Sequence, residues 1–134
     1  MPISLPLMLQ PDPQGIALGG LVVTLNHLNL TVDDAEAAAG FLTTYFGMIE
    51  MGRRNRNFIF LTDENHMVLA LMQGKDAVYP ANFHIGFIQP NRAAVDAIHA
   101  RLIADGFAAD SPAEQHAYTF YIKAPGGFTV ECLS

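Results

Sequence analysis

The sequence predicts an α+β fold made of two βαβββ modules that form one cupped sheet. Two observations support this fold. The same order of elements occurs twice along the 134 residues, and a histidine stands in the opening strand of each copy. His27 lies 20 residues before Gly47, the glycine after the first predicted helix, and His84 lies 22 residues before the equivalent Gly106. An internal duplication explains both observations.

The repeat divides the chain into an arm and one domain. We expect the domain to span 21–134, with modules at 21–74 and 81–134. Four of the eight prolines fall within residues 1–20, a segment without any basic residue or long apolar run, so it does not have the pattern of a signal peptide. We expect this segment to be an extended N-terminal arm.

The first module is predicted to begin with a strand and a capped helix. Apolar and polar residues alternate over 22–31, which is typical of a half-buried strand. Asp33, followed three residues later by Glu36, resembles a capping box that starts a helix, and Gly47 is a common type of helix end. Three further strands are predicted at 49–53, 57–62 and 66–73.

The second module repeats this order after a linker at 74–80. A strand at 81–89 leads to a helix that begins at Asn91 and ends before Gly106. Three more strands are predicted, at 107–109, 117–123 and 128–133, with a polar loop between the first two.

Composition excludes several classes of partner. The net charge of −6 disfavours nucleic acid and anionic membranes, which both attract a cationic surface. No apolar run approaches the roughly 20 residues that a membrane-spanning helix needs. The single cysteine, Cys132, cannot form an internal disulfide and suits a reducing compartment. We therefore expect a cytoplasmic protein with small-molecule partners.

Three side chains at repeat-related positions form a candidate metal site. His27 and His84 occupy the opening strands of the two modules, and Glu131 lies in the closing strand between Val130 and Cys132. A carboxylate in a buried strand is costly to desolvate unless it is paired, protonated or bound to metal. Each histidine alone is better explained by an ordinary hydrogen bond in a core or at a strand surface. Together, the three leave coordination positions open for one divalent ion per site, Fe, Mn, Ni or Zn.

Three motifs in the domain resemble the vicinal oxygen chelate superfamily, which includes glyoxalase I, fosfomycin-resistance enzymes, extradiol dioxygenases and bleomycin-resistance proteins. These motifs are Leu-Asn-His-Leu-Asn-Leu at 25–30, Phe-His-Ile-Gly-Phe at 83–87, and Phe-Tyr-Ile-Lys-Ala-Pro-Gly-Gly-Phe-Thr-Val-Glu at 120–131. The last is similar to the ending of the family domain, although Ala124 replaces its usual aspartate. The resemblance covers 21–134 and implies a glyoxalase-like fold.

The resemblance also implies roles for individual residues. His27, His84 and Glu131 match the metal ligands of family members, while Ala70 falls at or next to the fourth ligand position and cannot ligate. Tyr121 and Glu131 are the candidate catalytic residues, with Tyr121 as a proton donor or else an aromatic wall residue. Family members of this length are usually homodimers, often with modules paired across the two chains. Each site would then combine His27 of one chain with the other two ligands of its partner.

Other chemically active side chains have simpler explanations. We interpret His116 as a solvated loop residue in preference to a base near the site. The basic cluster Arg53, Arg54 and Arg56 is predicted to be a solvated hairpin in preference to an anion site. Cys132 is expected to be a small buried residue.

Three functions fit these features. The first is a metal-dependent lyase, isomerase or transferase that acts on a small oxygen-chelating substrate. The second is an extradiol-type Fe(II) dioxygenase, which the position of His116 disfavours. The third is a metal-free binding protein similar to bleomycin-resistance proteins, which retention of all three ligands disfavours. Fosfomycin resistance itself is not expected, because Ser111 stands where a lysine is typical and no arginine follows Glu131.

Overall fold

The structure is a computed structural model that describes residues 22–134, so the predicted arm at 1–20 lies outside the described residues. The elements in chain order are β1 (His27–Val32), α1 (Ala35–Phe46), β2 (Ile49–Asn55), β3 (Phe58–Thr62), β4 (Val68–Gln73), β5 (His84–Ile88), α2 (Arg92–Ala104), β6 (Ala113–Glu114), β7 (Tyr118–Lys123) and β8 (Thr129–Leu133).

These elements form two four-stranded sheets with the same topology. The strand orders are β1-β4-β3-β2 and β5-β8-β7-β6. In each sheet the first strand runs parallel to the last, and the last pairs antiparallel with the one before it. The predicted α+β fold of two βαβββ modules is confirmed.

Each sheet buries one face and leaves the other open. In β1, Leu30 and Val32 are buried, whereas His27, Asn29 and Thr31 are exposed. Alternate residues of a strand point to opposite faces, so the histidine lies on the face directed away from the core. In the second sheet, Val130 and Cys132 of β8 are fully buried and His84 of β5 is exposed on the opposite face, although Glu131 on that face is itself buried. The alternation read from the sequence therefore reports the correct face.

Both helices begin at side-chain caps. Asp34 accepts a hydrogen bond from the backbone N–H of Ala37, so the cap of α1 lies one residue after the predicted Asp33. Asn91 caps α2 through the N–H of Ala94, as predicted. Gly47 ends α1 in the left-handed conformation, with φ of 72°. Such caps satisfy N–H and C=O groups that a helix end leaves without partners.

The two modules share one hydrophobic core. The ring of Phe41 in α1 meets that of Phe107, which follows α2, at 5.3 Å between centroids. Phe46 at the end of α1 stacks on Phe87 of β5 at 4.8 Å. Because aromatic pairs of this kind add to the burial of apolar area, the modules are held together along their helical sides.

The structure departs from the predicted strands most clearly in the second module and at the start of β1. Instead of a strand at 107–109, the structure has a single bridge between Ala109 and Ile122, and the edge strand β6 lies in the segment predicted as a polar loop. A two-residue edge strand needs no apolar alternation, so its sequence carries no strand signal. The first strand begins at His27 instead of residue 22. Within residues 22–134, no helix is long and apolar enough to cross a membrane.

Candidate functional site

Glu131 is the centre of the candidate site. It lies in the middle of β8, where it pairs with Gly86 of β5 on one side and Tyr121 of β7 on the other. Its exposed fraction is only 5%, and the polar groups that contact it come from both neighbouring strands and from the turn before β7. A Cβ added at Gly86 would lie 3.9 Å from Glu131 Oε1, so the glycine leaves one side of this oxygen without a side-chain neighbour.

The two carboxylate oxygens have different partners. Oε1 lies 3.2 Å from His84 Nε2. Oε2 accepts a hydrogen bond of 2.7 Å from Thr119 Oγ1 and lies 2.7 Å from His116 Nε2. A buried carboxylate needs such partners, because desolvation without them would favour the neutral acid. The predicted expense of burying Glu131 is therefore offset by three neighbouring groups.

These contacts keep Glu131 ionised. Burial raises the pKa of the carboxyl, but the hydrogen bonds from Thr119 and His116, with the phenol of Tyr121 nearby, outweigh it, so the pKa lies below its ordinary value. The same charge acts on Tyr121, where burial and the nearby carboxylate raise the pKa of the phenol. At neutral pH the site thus combines a carboxylate anion with a protonated phenol.

His84 is oriented as a metal ligand would be. Its Nδ1 lies 3.0 Å from the backbone carbonyl of Asn82, an acceptor that requires the ring proton on Nδ1. In the neutral ring, Nε2 then directs a lone pair toward Glu131 Oε1 at 3.2 Å. Two acceptors this close call for a cation between them, either a proton or a metal. A backbone carbonyl behind the distal ring nitrogen is the usual support of a ligating histidine.

The separation of these two atoms fits a shared metal ion. Ligand atoms bonded at about 2.1 Å lie about 3.0 Å apart at octahedral angles and about 3.4 Å apart at tetrahedral angles. The observed 3.2 Å between Nε2 of His84 and Oε1 of Glu131 falls between these values. Nitrogen and oxygen donors together suit Fe, Mn, Ni or Zn. These two residues therefore fit the divalent ion that the sequence predicts.

Tyr121 lines the approach to this pair. Its ring packs edge-on against the imidazole of His84, with 5.4 Å between centroids. A cavity of about 260 Å³ opens beside the two rings and is lined by Ala81, Asn82, Phe83, His84, Tyr121 and Thr129. A small molecule in this cavity would contact both the phenol and the imidazole.

His27 stands apart from this cluster within one chain. It begins β1 in the first sheet, whereas β5 and β8 belong to the second sheet. Its side chain is exposed, and its Nδ1 lies 2.8 Å from Asn26 Oδ1. No group of three or more His, Cys, Asp or Glu side chains within residues 22–134 is arranged to hold a metal ion. Ala70 is buried in β4 beside Asn29 of β1 and supplies no ligand atom.

Sequence reasoning missed one residue of the site and misjudged another. His116 is not a free loop residue, since it contacts Glu131, and Thr119 was not considered at all. A usable signal existed for Thr119, because it lies two residues before Tyr121 and therefore on the same face of β7. Arg53 is tied to two carboxylates, with bonds of 2.6 and 2.8 Å to Glu50 and a contact of 3.1 Å to Glu36. It is therefore not free to hold an anion.

Comparison with known proteins agrees with this architecture. The model of the Glyoxalase/Bleomycin resistance protein/Dioxygenase superfamily matches residues 24–132, so the chain belongs to this superfamily. Members generally use a divalent metal and bind small molecules.

Solved structures give the same assignment. A possible glyoxalase from Bacillus cereus is 45% identical, with a TM-score of 0.81, over 84% of this chain and all of that one. A fosfomycin resistance protein from Listeria monocytogenes is 19% identical, with a TM-score of 0.72, over 84% of this chain and 93% of the other, and shares the fold. A lactoylglutathione lyase from Agrobacterium tumefaciens is 20% identical, with a TM-score of 0.66, over 84% and 93%. No curated protein matches the chain.

Proposed function

We propose that this chain is a metal-dependent enzyme, of the lyase, isomerase or transferase type, that acts on a small oxygen-chelating substrate. The observation that carries the proposal is the convergence of His84 Nε2 and Glu131 Oε1 at 3.2 Å on an open sheet face. A histidine and an ionised carboxylate held this close on the open face of the sheet support a divalent-metal site, since both donor types suit such an ion.

The third ligand in this proposal is His27 of a second copy of the chain. His27 is exposed on the open face of the first sheet, and the other two ligands lie on the open face of the second. Exposed apolar side chains on these faces, Ile49, Met51, Met72 and Ile88, favour a homodimer that covers them. Each dimer would contain two sites.

The proposed chemistry divides between the metal and the protein. When bound, a divalent ion supplies Lewis acidity to two substrate oxygens. Tyr121 stays protonated at neutral pH, because burial and the charge of Glu131 raise the pKa of its phenol. Its hydroxyl is thus able to donate a proton to an oxyanion or carbanion in the adjacent cavity. Glu131 remains the anionic ligand, and Phe83 supplies apolar contact to the substrate.

A metal-free binding protein is the second candidate. The observation in its favour is that only two of the three predicted ligands meet within residues 22–134 of a single chain.

An extradiol dioxygenase would use the same three ligands, and the identity of the metal separates it from the first proposal. Iron, with oxygen consumption on catechols, would favour the dioxygenase.

Metal analysis of protein purified without added metal tests the proposal. We expect about one divalent ion per chain in the wild type and almost none in His84→Ala. His66→Asn is the matched control, because it removes an imidazole elsewhere and asparagine tolerates the positive φ of 67° at this position. Wild-type protein that neither retains nor takes up a divalent ion would favour the metal-free binder.

Mixed dimers test whether the site is shared between chains. We expect His27→Ala and His84→Ala to lack metal separately. When the two variants are unfolded and refolded together, half of the dimers are mixed and each mixed dimer regains one intact site. Metal content should then recover to about a quarter of the wild-type level. No recovery would contradict a site shared between two chains.

The proposal includes a cytoplasmic location and no nucleic-acid or membrane partner. The net charge of −6 and the single, buried cysteine support it. Retention of the purified protein on a DNA column or on anionic vesicles at physiological salt would contradict it.

A further inference from the structure

We propose that His116 is a positioning residue for the metal ligand Glu131, a role that rests on the metal site proposed above. Together with Thr119, it holds one carboxylate oxygen so that the other oxygen faces His84. His116 lies in the turn between β6 and β7, and no predicted ligand or catalytic role involves it.

The two carboxylate oxygens of Glu131 have unequal numbers of hydrogen-bond donors. Both donors, Thr119 Oγ1 and His116 Nε2, bind Oε2 of Glu131 at 2.7 Å. Oε1 carries neither of these bonds and lies 3.2 Å from His84 Nε2. A carboxylate whose two oxygens had equal partners could rotate about its terminal bond. Two donors on one oxygen select a single orientation, in which Oε1 is the ligating atom.

The two donors, Thr119 and His116, reach Oε2 of Glu131 from different elements. Thr119 is fully buried in β7, so its hydroxyl is fixed by the strand. The His116 side chain is 54% exposed and reaches the carboxylate from the solvent side. Glu131 is therefore held between the strand and the turn. Groups that support a metal ligand in this way typically change metal affinity by about 10–100-fold.

The turn that carries His116, between β6 and β7, is anchored by contacts outside the site. Tyr118, two residues after His116, donates its hydroxyl to Asp96 of α2 at 2.6 Å. Arg92 of α2 pairs with Glu114 and lies over the ring of Tyr118, 4.6 Å from its centroid. These contacts link the segment on both sides of His116 to α2. The imidazole is thus held over Glu131 by groups that do not touch the site.

Glutamine at position 116 separates positioning from other roles of an imidazole. A glutamine amide reaches about as far as His Nε2 and donates an N–H to a carboxylate oxygen. However, it does not transfer protons near neutral pH and is a poor ligand for Fe, Mn, Ni or Zn. His116→Gln should therefore retain a positioning function that His116→Ala removes.

The test is titration of the metal-free protein with Co²⁺, followed by visible absorption, for the wild type and three variants. We expect His116→Ala to weaken Co²⁺ binding by about tenfold or more, and His116→Gln to bind within about threefold of wild type. Gln115→Ala, an exposed neighbour in the same turn, is the matched control and should bind as wild type does. Equal affinity for His116→Ala and wild type would overturn the proposal. A His116→Gln variant as weak as His116→Ala would overturn it in favour of direct ligation.

If the wild type binds no Co²⁺, the metal site itself is refuted. A measurement on metal-free protein then tests separately whether His116 positions Glu131. The ring nitrogens of His84 are observed by NMR in histidine-labelled protein kept in chelator. Loss of positioning in His116→Ala should shift the His84 Nε2 resonance, because Oε1 of Glu131 leaves its place beside it. His116→Gln and Gln115→Ala should leave that resonance unchanged. If the His84 resonance of His116→Ala does not shift, the positioning role is overturned, even where the wild type binds Co²⁺.

Discussion

Replacement of Thr119 by valine should destabilise the protein by about 2 kcal/mol. Thr119 is fully buried and Glu131 is 5% exposed, so water cannot replace the 2.7 Å hydrogen bond between them. Valine has the shape of threonine but no hydroxyl, so the change removes the bond and little packing. Hydrogen bonds to charged groups contribute about 1.5–3 kcal/mol, and His116 remains as a partner of Oε2, which favours the middle of this range.

Urea unfolding at pH 7 in chelator measures this change in the free energy of unfolding. The slope m should stay the same, since the unfolded surface does not change. Thr119→Ser is the control, because it keeps the hydroxyl and should lose less stability than Thr119→Val.

A double-mutant cycle with Glu131→Leu isolates the pair. In the Glu131→Leu background, Thr119→Val should cost less than about 0.5 kcal/mol, because no acceptor remains. An equal cost in both backgrounds would refute the reasoning and attribute the effect to packing alone.

Three further predictions concern protonation and backbone conformation. Burial raises the pKa of Glu131, but hydrogen bonding lowers it by more, so folding favours the ionised carboxylate. Wild type should therefore be more stable than Glu131→Gln above the pKa of a free glutamate, about 4.3, and this advantage should disappear as the pH falls. Urea unfolding at several pH values between about 6 and 3 measures the difference. Burial raises the pKa of the Cys132 thiol to about 12, so a disulfide reagent at pH 8 should label it only after denaturation. Gly126→Ala should lower the unfolding free energy by more than about 1 kcal/mol, because φ is 109° and a Cβ would lie 3.1 Å from Val32; a smaller loss would show that the turn can relax.

Residues in regular strands and helices were predictable to the extent that local pattern determines them. The open-face position of His27 and the buried position of Cys132 both follow from alternation, which the structure confirms. The cap at Asn91 was predicted correctly, while the cap of α1 lies at Asp34 instead of its neighbour. Two adjacent aspartates offer the backbone equivalent caps, so the sequence alone does not choose between them.

Contacts across the chain were less accessible. Arg53 is exposed on the hairpin, as predicted, but its contact with Glu36 of α1 depends on how the helix packs on the sheet. His116 was misjudged for a similar reason. Its loop has no periodic pattern, and its position is set by Tyr118 and Arg92 contacting α2 and β6.

By itself, the sequence determined the duplicated βαβββ order and the face of each strand, and it singled out His84 and Glu131 as candidate ligands. Those features depend on local spacing, on strand alternation and on the cost of burying a charge, all of which can be read from neighbours along the chain. Only the tertiary structure decided that Glu131 presents Oε1 to His84 while His116 and Thr119 hold Oε2. That arrangement joins residues from three strands and a turn, and its geometry arises only when the second sheet and α2 pack together.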